Sequence, residues 1–196
     1  TSPNLLRKVT SASYEHSHLI PLSVPSHTNN QKPSLELPER YVLFLGRLSY
    51  YKGINYLLDA IWELPDVQFV IAGSGGLEKN VSQAIKEKNL INLMFINRYV
   101  TEAEKTELLY RCDFVVFPSI SETFGNVTLE AMASGLPAFV ADAPGSKSLV
   151  ESKLNGCVAR PKDVDDFAAR IEMLIHSEEK RKAFSKAARN KAEQYS

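Results

Sequence analysis

The chain has 196 residues, of which 44% are hydrophobic and 23% are charged, a composition typical of a soluble globular protein with one well-filled domain. Lysine plus arginine and aspartate plus glutamate both total 23, so the formal net charge is zero. This balance excludes the bulk electrostatic attraction on which nucleic-acid binding depends. Cys112 and Cys157 are too few for a disulfide framework, and we expect both to be buried thiols in a reducing compartment.

Residues 1–40 differ in kind from the rest of the chain. They are rich in serine, asparagine, proline and histidine, and they contain one short apolar segment, Leu19 to Val24. We interpret residues 1–40 as a junction or linker and residues 41–196 as the folded domain.

From Tyr41 onward, short runs of valine, isoleucine and phenylalanine alternate with amphipathic stretches of helical length. This alternation is typical of βαβ units, and continuously apolar strands indicate a parallel sheet that is covered on both faces. Six strands are predicted, over residues 41–46, 67–73, 92–97, 113–118, 137–141 and 156–160. Helices are predicted over residues 53–64, 77–88, 102–111, 126–134, 146–153, 163–176 and 178–195. The predicted fold class is α/β, a Rossmann-like doubly wound parallel sheet of about six strands.

The first predicted strand leads into residues 46–53, GRLSYYKG. Two cations, Arg47 and Lys52, therefore emerge at the carboxyl end of the sheet, where open α/β folds bind their ligands. We expect them to hold a diphosphate and to neutralise charge on a leaving phosphate without a metal, although an isolated pair of loop cations is more often simply solvated. The absence of a Gly-x-Gly-x-x-Gly turn disfavours a dinucleotide oxidoreductase.

The second predicted strand ends in a glycine cluster, Gly73-Ser74-Gly75. Glycine at such a turn lets the backbone approach a ligand closely. Many Rossmann-like domains carry the same turn only to pass from strand to helix, so both interpretations stay open at this point.

The third predicted strand leads into Arg98, Tyr99 and Val100. Thr101 and Glu104 follow with the spacing of a capping box, which predicts that a helix begins at residue 102. Arg98 either contacts a ligand or points to solvent, and both alternatives remain open.

The most informative run, SETFGNVTLEAMASGLP over residues 121–137, follows the fourth predicted strand. It places two carboxylates, Glu122 in the loop and Glu130 in the helix, on either side of a glycine-led helix start. Unpaired amides and the helix dipole both favour an anion at such a start, and a diphosphate fits that description. The free amides belong to Phe124, Gly125, Asn126 and Val127.

Residues 121–137 resemble the signature of retaining glycosyltransferases of the GT-B type, in particular the large family 4, also called glycosyltransferase group 1. In that signature two glutamates separated by seven residues are followed by Ala-Met-Ala-x-Gly-x-Pro. Residues 20–25, IPLSVP, are similar to the stretch that ends the family's preceding domain. The resemblance implies that residues 41–196 form the donor-binding, carboxy-terminal half of a GT-B fold that uses no metal and no cofactor.

The resemblance also implies roles for the residues described above. Glu130 would take the ribose hydroxyls of a nucleoside diphosphate sugar, and Glu122 would lie beside the transferred hexose. The catalytic residues would be Glu122, Arg47 and Lys52. The rest of the donor site would comprise Gly73, Ser74, Gly75, Arg98, Tyr99, Val100, Phe124, Gly125, Asn126 and Val127, with the loop after the third strand pairing with the base.

We therefore expect residues 41–196 to be the donor-binding domain of a glycosyltransferase. The intact enzyme would transfer a hexose from a UDP- or GDP-linked sugar to an acceptor hydroxyl with retention of anomeric configuration, in polysaccharide, glycolipid or glycoconjugate synthesis. The acceptor pocket of such an enzyme belongs to an amino-terminal domain, so this part alone is expected to be inactive. Two alternatives stay open, a non-catalytic nucleotide-binding Rossmann-like module and a sugar-nucleotide 2-epimerase of the same fold. We expect a cytoplasmic protein, and peripheral membrane contact of the intact enzyme is an open alternative.

Overall fold

The computed structural model describes residues 35–195. Most of the predicted junction, including residues 20–25, lies outside the described residues. All six predicted strands are present, each within the predicted bounds. They are β1 Val42–Leu45, β2 Phe69–Gly73, β3 Leu93–Asn97, β4 Phe114–Phe117, β5 Ala138–Ala141 and β6 Gly156–Ala159.

The strands form one sheet in the order β3-β2-β1-β4-β5-β6, and every neighbouring pair is parallel. Strands β1, β2, β4 and β5 are buried along their whole length, because helices cover both faces of the sheet. The prediction of a six-stranded Rossmann-like sheet is confirmed.

Seven α-helices lie among the described residues. They are α1 Ile54–Glu63, α2 Glu78–Glu87, α3 Glu102–Arg111, α4 Asn126–Ala133, α5 Pro144–Leu149, α6 Val164–Ile175 and α7 Glu178–Ala192. Short 3₁₀ turns cover Tyr50–Lys52 and Glu193–Tyr195. Helix α6 packs against α1, and α7 packs against α4.

The helix predicted over residues 146–153 was placed wrongly. It begins at Pro144, because proline fixes φ near the helical value and has no N–H to lose in a first turn. It ends at Leu149, and Lys153 has a φ of 69°, a left-handed conformation that no α-helix contains. The predicted stretch therefore includes the turn that leads into β6.

The core is formed by the strands and by the inner faces of the helices. Phe139 of β5 stacks on Phe167 of α6, with ring centroids 4.3 Å apart. Cys112 and Cys157 are both buried and unpaired, as predicted. Burial raises the pKa of the Cys157 thiol to about 11 and also raises the pKa of Cys112, so both remain protonated at neutral pH.

The basic helix α7 uses several of its cations inside the domain. The guanidinium of Arg181 donates to the carbonyls of Leu174 and Ile175, at 2.5 and 2.6 Å, and so satisfies the carboxyl end of α6. Lys191 pairs with Glu151 at 3.1 Å. Between residues 35 and 195, no helix has both the length and the apolar character needed to cross a bilayer.

Candidate active site

The loops that follow β1, β2 and β4 lie side by side at the carboxyl edge of the sheet. Strand β1 is hydrogen-bonded to β2 on one side and to β4 on the other, and the direction of winding reverses between β1 and β4. Open α/β sheets bind ligands at such a switch point. The topology therefore brings the cations that follow β1 close to the carboxylates that follow β4.

Backbone contacts hold the loop after β1 against the end of β4. Gly53 has a φ of 71°, and a Cβ at this position would overlap the carbonyl oxygen of Pro118. The amides of Ile120 and Ser121 donate to the carbonyl of Tyr51, at 2.8 and 3.4 Å. The 3₁₀ turn after β1 is thus anchored on the loop that carries the first predicted carboxylate.

Lys52 and Glu122 meet in an ion pair, with Nζ 2.6 Å from Oε2. Their side chains are only 20% and 15% exposed, and Ser119 Oγ donates to the same Oε2 at 3.5 Å. The amide of Gly145 donates to the backbone carbonyl of Glu122 at 3.0 Å, and a Cβ at Gly145 would overlap that oxygen. Both the backbone and the side chain of Glu122 are therefore fixed, and Lys52 lies next to this carboxylate.

Arg47 lies in the same loop but is exposed, and it makes no ion pair with any described residue. Its neighbour Leu48 is buried, and the Leu48 amide donates to the carbonyl of Ser74 at 2.9 Å. The structure thus places Arg47 on the rim of the switch point, with its guanidinium open to solvent.

The glycine cluster after β2 packs directly on the loop after β1. A Cβ at Gly73 would overlap the carbonyl oxygen of Gly46, and a Cβ at Gly75 would overlap that of Leu48. The amide of Gly75 is already used by a carboxylate of α2, at 2.8 Å. These glycines therefore have a packing role at this place in the fold, whatever the loop binds.

Helix α4 begins as the sequence indicates. Gly125 is its N-cap, with a φ of 87°, and no side chain caps the first turn. Asn126 is exposed, whereas Phe124 and Val127 are half-buried. The amides of this turn therefore keep their donors available, which is the condition for binding an anion at a helix start.

Tyr195, which the sequence reasoning missed, supports the same turn. Its ring packs edge-on against Phe124, with centroids 5.8 Å apart, and its hydroxyl donates to the carbonyl of Ser148 at 3.3 Å. The contact joins the end of the described chain to residues about 70 positions earlier, and no local pattern indicates such a pairing.

Glu130 has a partner that the sequence reasoning also missed. Lys105 Nζ, from the first turn of α3, lies 3.0 Å from Glu130 Oε2 and 2.8 Å from Glu102 Oε2. The only sequence signal was the i,i+3 spacing of Glu102 and Lys105, which does not reveal the contact across to α4.

Arg98 is not free to meet a ligand in this conformation. Its guanidinium binds both oxygens of Glu104, at 2.9 and 2.5 Å, and Glu104 also completes the predicted capping box with Thr101. These bonds lower the pKa of Glu104 to about 2, the Arg98 contact first and the Thr101 amide second. Tyr99 is 79% exposed at the sheet edge, whereas Val100 is buried.

Two further observations bear on what the site holds. Among residues 35–195, no three His, Cys, Asp or Glu side chains are grouped so that they could bind a metal ion. A hollow of about 480 Å³ lies at the amino ends of β4 and β5, and none of its lining residues belongs to the predicted site.

Comparison with known proteins decides the family. The model of the family described as glycosyl transferases group 1 matches residues 26–191. The chain belongs to this family. The match includes both predicted glutamates and both predicted cations, so the group 1 signature and the geometry described above fall in the same segment.

Several known proteins are similar to this chain over most of its length. An uncharacterized glycosyltransferase of Methanocaldococcus jannaschii is 34% identical over 70% of the chain and 36% of its own length. The O-antigen chain mannosyltransferase C of Escherichia coli is 31% identical over 80% of the chain and 42% of its own length. The structure of HepE from Anabaena in complex with UDP and glucose has a TM-score of 0.72 and 26% identity, covering 99% of this chain and 48% of that one. The chain thus spans less than half the length of these three proteins.

Proposed function

We propose that the chain is the donor-binding domain of a retaining, metal-independent family 4 glycosyltransferase, which transfers a hexose from a UDP- or GDP-linked sugar to an acceptor hydroxyl. The single observation that carries the proposal is the ion pair of Lys52 and Glu122 beside the uncapped start of α4. A cation, a carboxylate and free amides thus lie together at the switch point of the sheet. This arrangement suits a nucleoside diphosphate sugar, whose phosphates need cations and amides.

Each group then has a chemical role. The diphosphate lies on the amides of residues 124–127, with Arg47 and Lys52 on its oxygens. When the bond from the anomeric carbon to the β-phosphate oxygen breaks, its electron pair goes to that oxygen, and the two cations stabilise the charge. The acceptor oxygen bonds to the anomeric carbon on the face that the phosphate leaves, and its proton passes to the departing β-phosphate oxygen. Glu122 lies beside the sugar ring, where its charge stabilises the positive character of the transition state.

The nucleoside end of the donor extends toward α3. Glu130 accepts hydrogen bonds from the ribose hydroxyls, and the backbone of residues 98–100 meets the edge of the base. The loop of residues 73–75 lines the nucleotide pocket, and its glycines let it pack against the loop after β1. The UDP complex of the Anabaena relative supports a uridine nucleotide as the first ligand to test.

Acceptor binding belongs to a second domain. The chain spans 36% of the archaeal relative and 48% of the Anabaena protein, which supports a further domain in the longer protein. By itself the chain is expected to bind the donor weakly and to transfer nothing. The intact enzyme would act in the cytoplasm, in polysaccharide, glycolipid or glycoconjugate synthesis.

Calorimetry on this chain with UDP, GDP and ADP tests the proposal. Because each substitution removes a charge-assisted hydrogen bond, Arg47→Ala and Glu130→Gln are expected to weaken binding of the preferred nucleotide about 10- to 100-fold. The matched control is Lys182→Met, which removes an exposed lysine of α7 that pairs with Glu178 at 2.6 Å. Addition of EDTA is expected to leave the affinity unchanged. Equal affinity in the parent chain and in both site variants would refute the site assignment.

A test of retention of anomeric configuration requires the intact enzyme. NMR of the product formed from an α-linked donor is expected to show an α-linkage at the first time point. A β-linked product would refute the retaining assignment and leave donor binding intact.

A further inference from the structure

We propose that Lys105 is a positioning residue that orients Glu130 toward the ribose of the bound nucleotide. The inference rests on the proposed function, because it assumes that Glu130 meets the ribose. It assigns to α3 a part in donor recognition that the glutamate signature does not contain.

The geometry links two helices that flank β4 through one ammonium group. Lys105 Nζ lies 3.0 Å from Glu130 Oε2 on α4 and 2.8 Å from Glu102 Oε2 on its own helix. An ammonium carries three donors, and these two contacts use two of them. The Lys105 side chain is 23% exposed and that of Glu130 is 34% exposed, so the contact lies at the half-buried margin of the site.

The contact restricts a side chain that would otherwise rotate. A glutamate on a partly exposed helix face has several accessible rotamers, and ordering it on ligand binding lowers the affinity. Here Lys105 holds Oε2 of Glu130 before any nucleotide arrives, and Glu102 in turn holds Lys105. Within the described part of the chain, Glu130 Oε1 accepts no hydrogen bond, so this oxygen is left for a hydroxyl.

Lys105 stays charged in this position. Burial disfavours the ammonium, but hydrogen bonds to Glu102 and Glu130 outweigh that effect, and the pKa of Lys105 is raised above its ordinary value. Lys105 is therefore protonated at neutral pH and can hold both carboxylates.

The test compares ligands that differ only in the ribose. Calorimetry is done with UDP and 2′,3′-dideoxy-UDP, and in parallel with GDP and 2′,3′-dideoxy-GDP. The chains are the parent, Lys105→Met, Lys105→Arg and Glu130→Gln, with Lys182→Met as the control for loss of an ion-paired lysine elsewhere. Thermal unfolding is measured on every variant first. Should Lys105→Met not fold, Glu102→Gln replaces it, since Glu102 is 77% exposed and its loss frees the same lysine.

Lys105→Met is expected to weaken binding of the ribonucleotide about 3- to 30-fold, the effect of one misplaced charge-assisted hydrogen bond, and to leave the dideoxynucleotide unaffected. Lys105→Arg, which keeps the charge, is expected to restore most of the loss. Equal losses on both ligands would overturn the inference, because Lys105 would then act on another part of the nucleotide. A loss in Glu130→Gln without one in Lys105→Met would also overturn it while leaving the proposed function intact. If the parent binds none of these nucleotides, or if Glu130→Gln binds them as the parent does, the proposed function itself fails.

Discussion

Replacement of Gly53 by alanine tests the junction on which the site depends. Gly53 follows Lys52 directly, and its φ of 71° lies in the left-handed region. A Cβ at this position would overlap the carbonyl oxygen of Pro118 and lie 2.8 Å from its carbonyl carbon. Because the overlapped atoms belong to the backbone at the end of β4, the clash can be relieved only by moving the loop that carries the ion pair.

The expected cost follows from three contributions. A left-handed φ costs an L-residue about 1–2 kcal/mol, and overpacking against fixed atoms costs about 1–3 kcal/mol. Alanine also lowers the conformational entropy of the unfolded chain, and this offsets about 0.4–1 kcal/mol of the destabilisation. The net loss in free energy of unfolding is therefore about 1.5–4 kcal/mol, or about 3–15 °C in melting temperature for a domain of this size.

Urea unfolding followed by circular dichroism measures this loss. Gly76→Ala is the matched control, since no heavy atom lies within 4 Å of a Cβ built there and its φ is not positive. We expect Gly76→Ala to be neutral or slightly stabilising, by up to about 1 kcal/mol. Gly53→Asn separates the two causes, because asparagine tolerates the left-handed region but keeps the clash. If Gly53→Ala were as stable as Gly76→Ala, the described junction would be wrong.

Three further predictions concern other contacts. Lys52→Met and Glu122→Gln are each expected to lower the free energy of unfolding. Because the two side chains share one half-buried ion pair, the double variant should lose about 1 kcal/mol less than the sum of the single losses, and strictly additive losses in urea unfolding would refute the contact. The pKa of Glu104 is depressed from 4.5 to about 2, so the stability that this carboxylate contributes is present above pH 4.5 and is lost as the pH falls toward 2. The melting temperatures of the parent and of Glu104→Gln should therefore converge at acid pH. A difference that stays constant with pH would contradict this. Cys112 and Cys157 are buried and protonated, so neither thiol is expected to react with a disulfide reagent at neutral pH until urea unfolds the chain. Rapid reaction in the native state would contradict their burial.

The strands and their order of appearance were predictable from the sequence because a doubly covered parallel sheet requires continuous apolar runs. The bounds of α3 were predictable for a local reason as well, since the capping box of Thr101 and Glu104 lies within four residues. Helix α5 was placed wrongly because its start depends on a single proline, and the left-handed turn at Lys153 lies inside the predicted stretch. Prediction of helix bounds was thus reliable where a local motif, such as the capping box, marks the start of the helix.

The contacts of the site were only partly predictable. Glu122 and Lys52 could be assigned to one edge because both follow strands of a parallel sheet, but their direct contact depends on the close approach at Gly53 and Pro118. Lys105 could not be found, since its contact with Glu130 joins two helices whose relative rotation is set by packing. Arg98 was considered as a ligand contact, whereas the structure pairs it with Glu104, six residues away.

The two ion pairs would allow the proposed site, which contains two glutamates, to receive a diphosphate. Unpaired carboxylates several ångströms from a doubly charged ligand would repel it, and in a half-buried setting the repulsion would be stronger than in water. Here Glu122 lies 2.6 Å from Lys52 and Glu130 lies 3.0 Å from Lys105, so each carboxylate is partly compensated by a cation from a neighbouring loop or helix. In the proposed complex, exposed Arg47, the uncapped first turn of α4 and the N–H groups of Lys52 that Glu122 does not use then attract the phosphates. Removing Lys52 should therefore weaken nucleotide binding more than removing Glu122, because it leaves an uncompensated negative charge facing the phosphates.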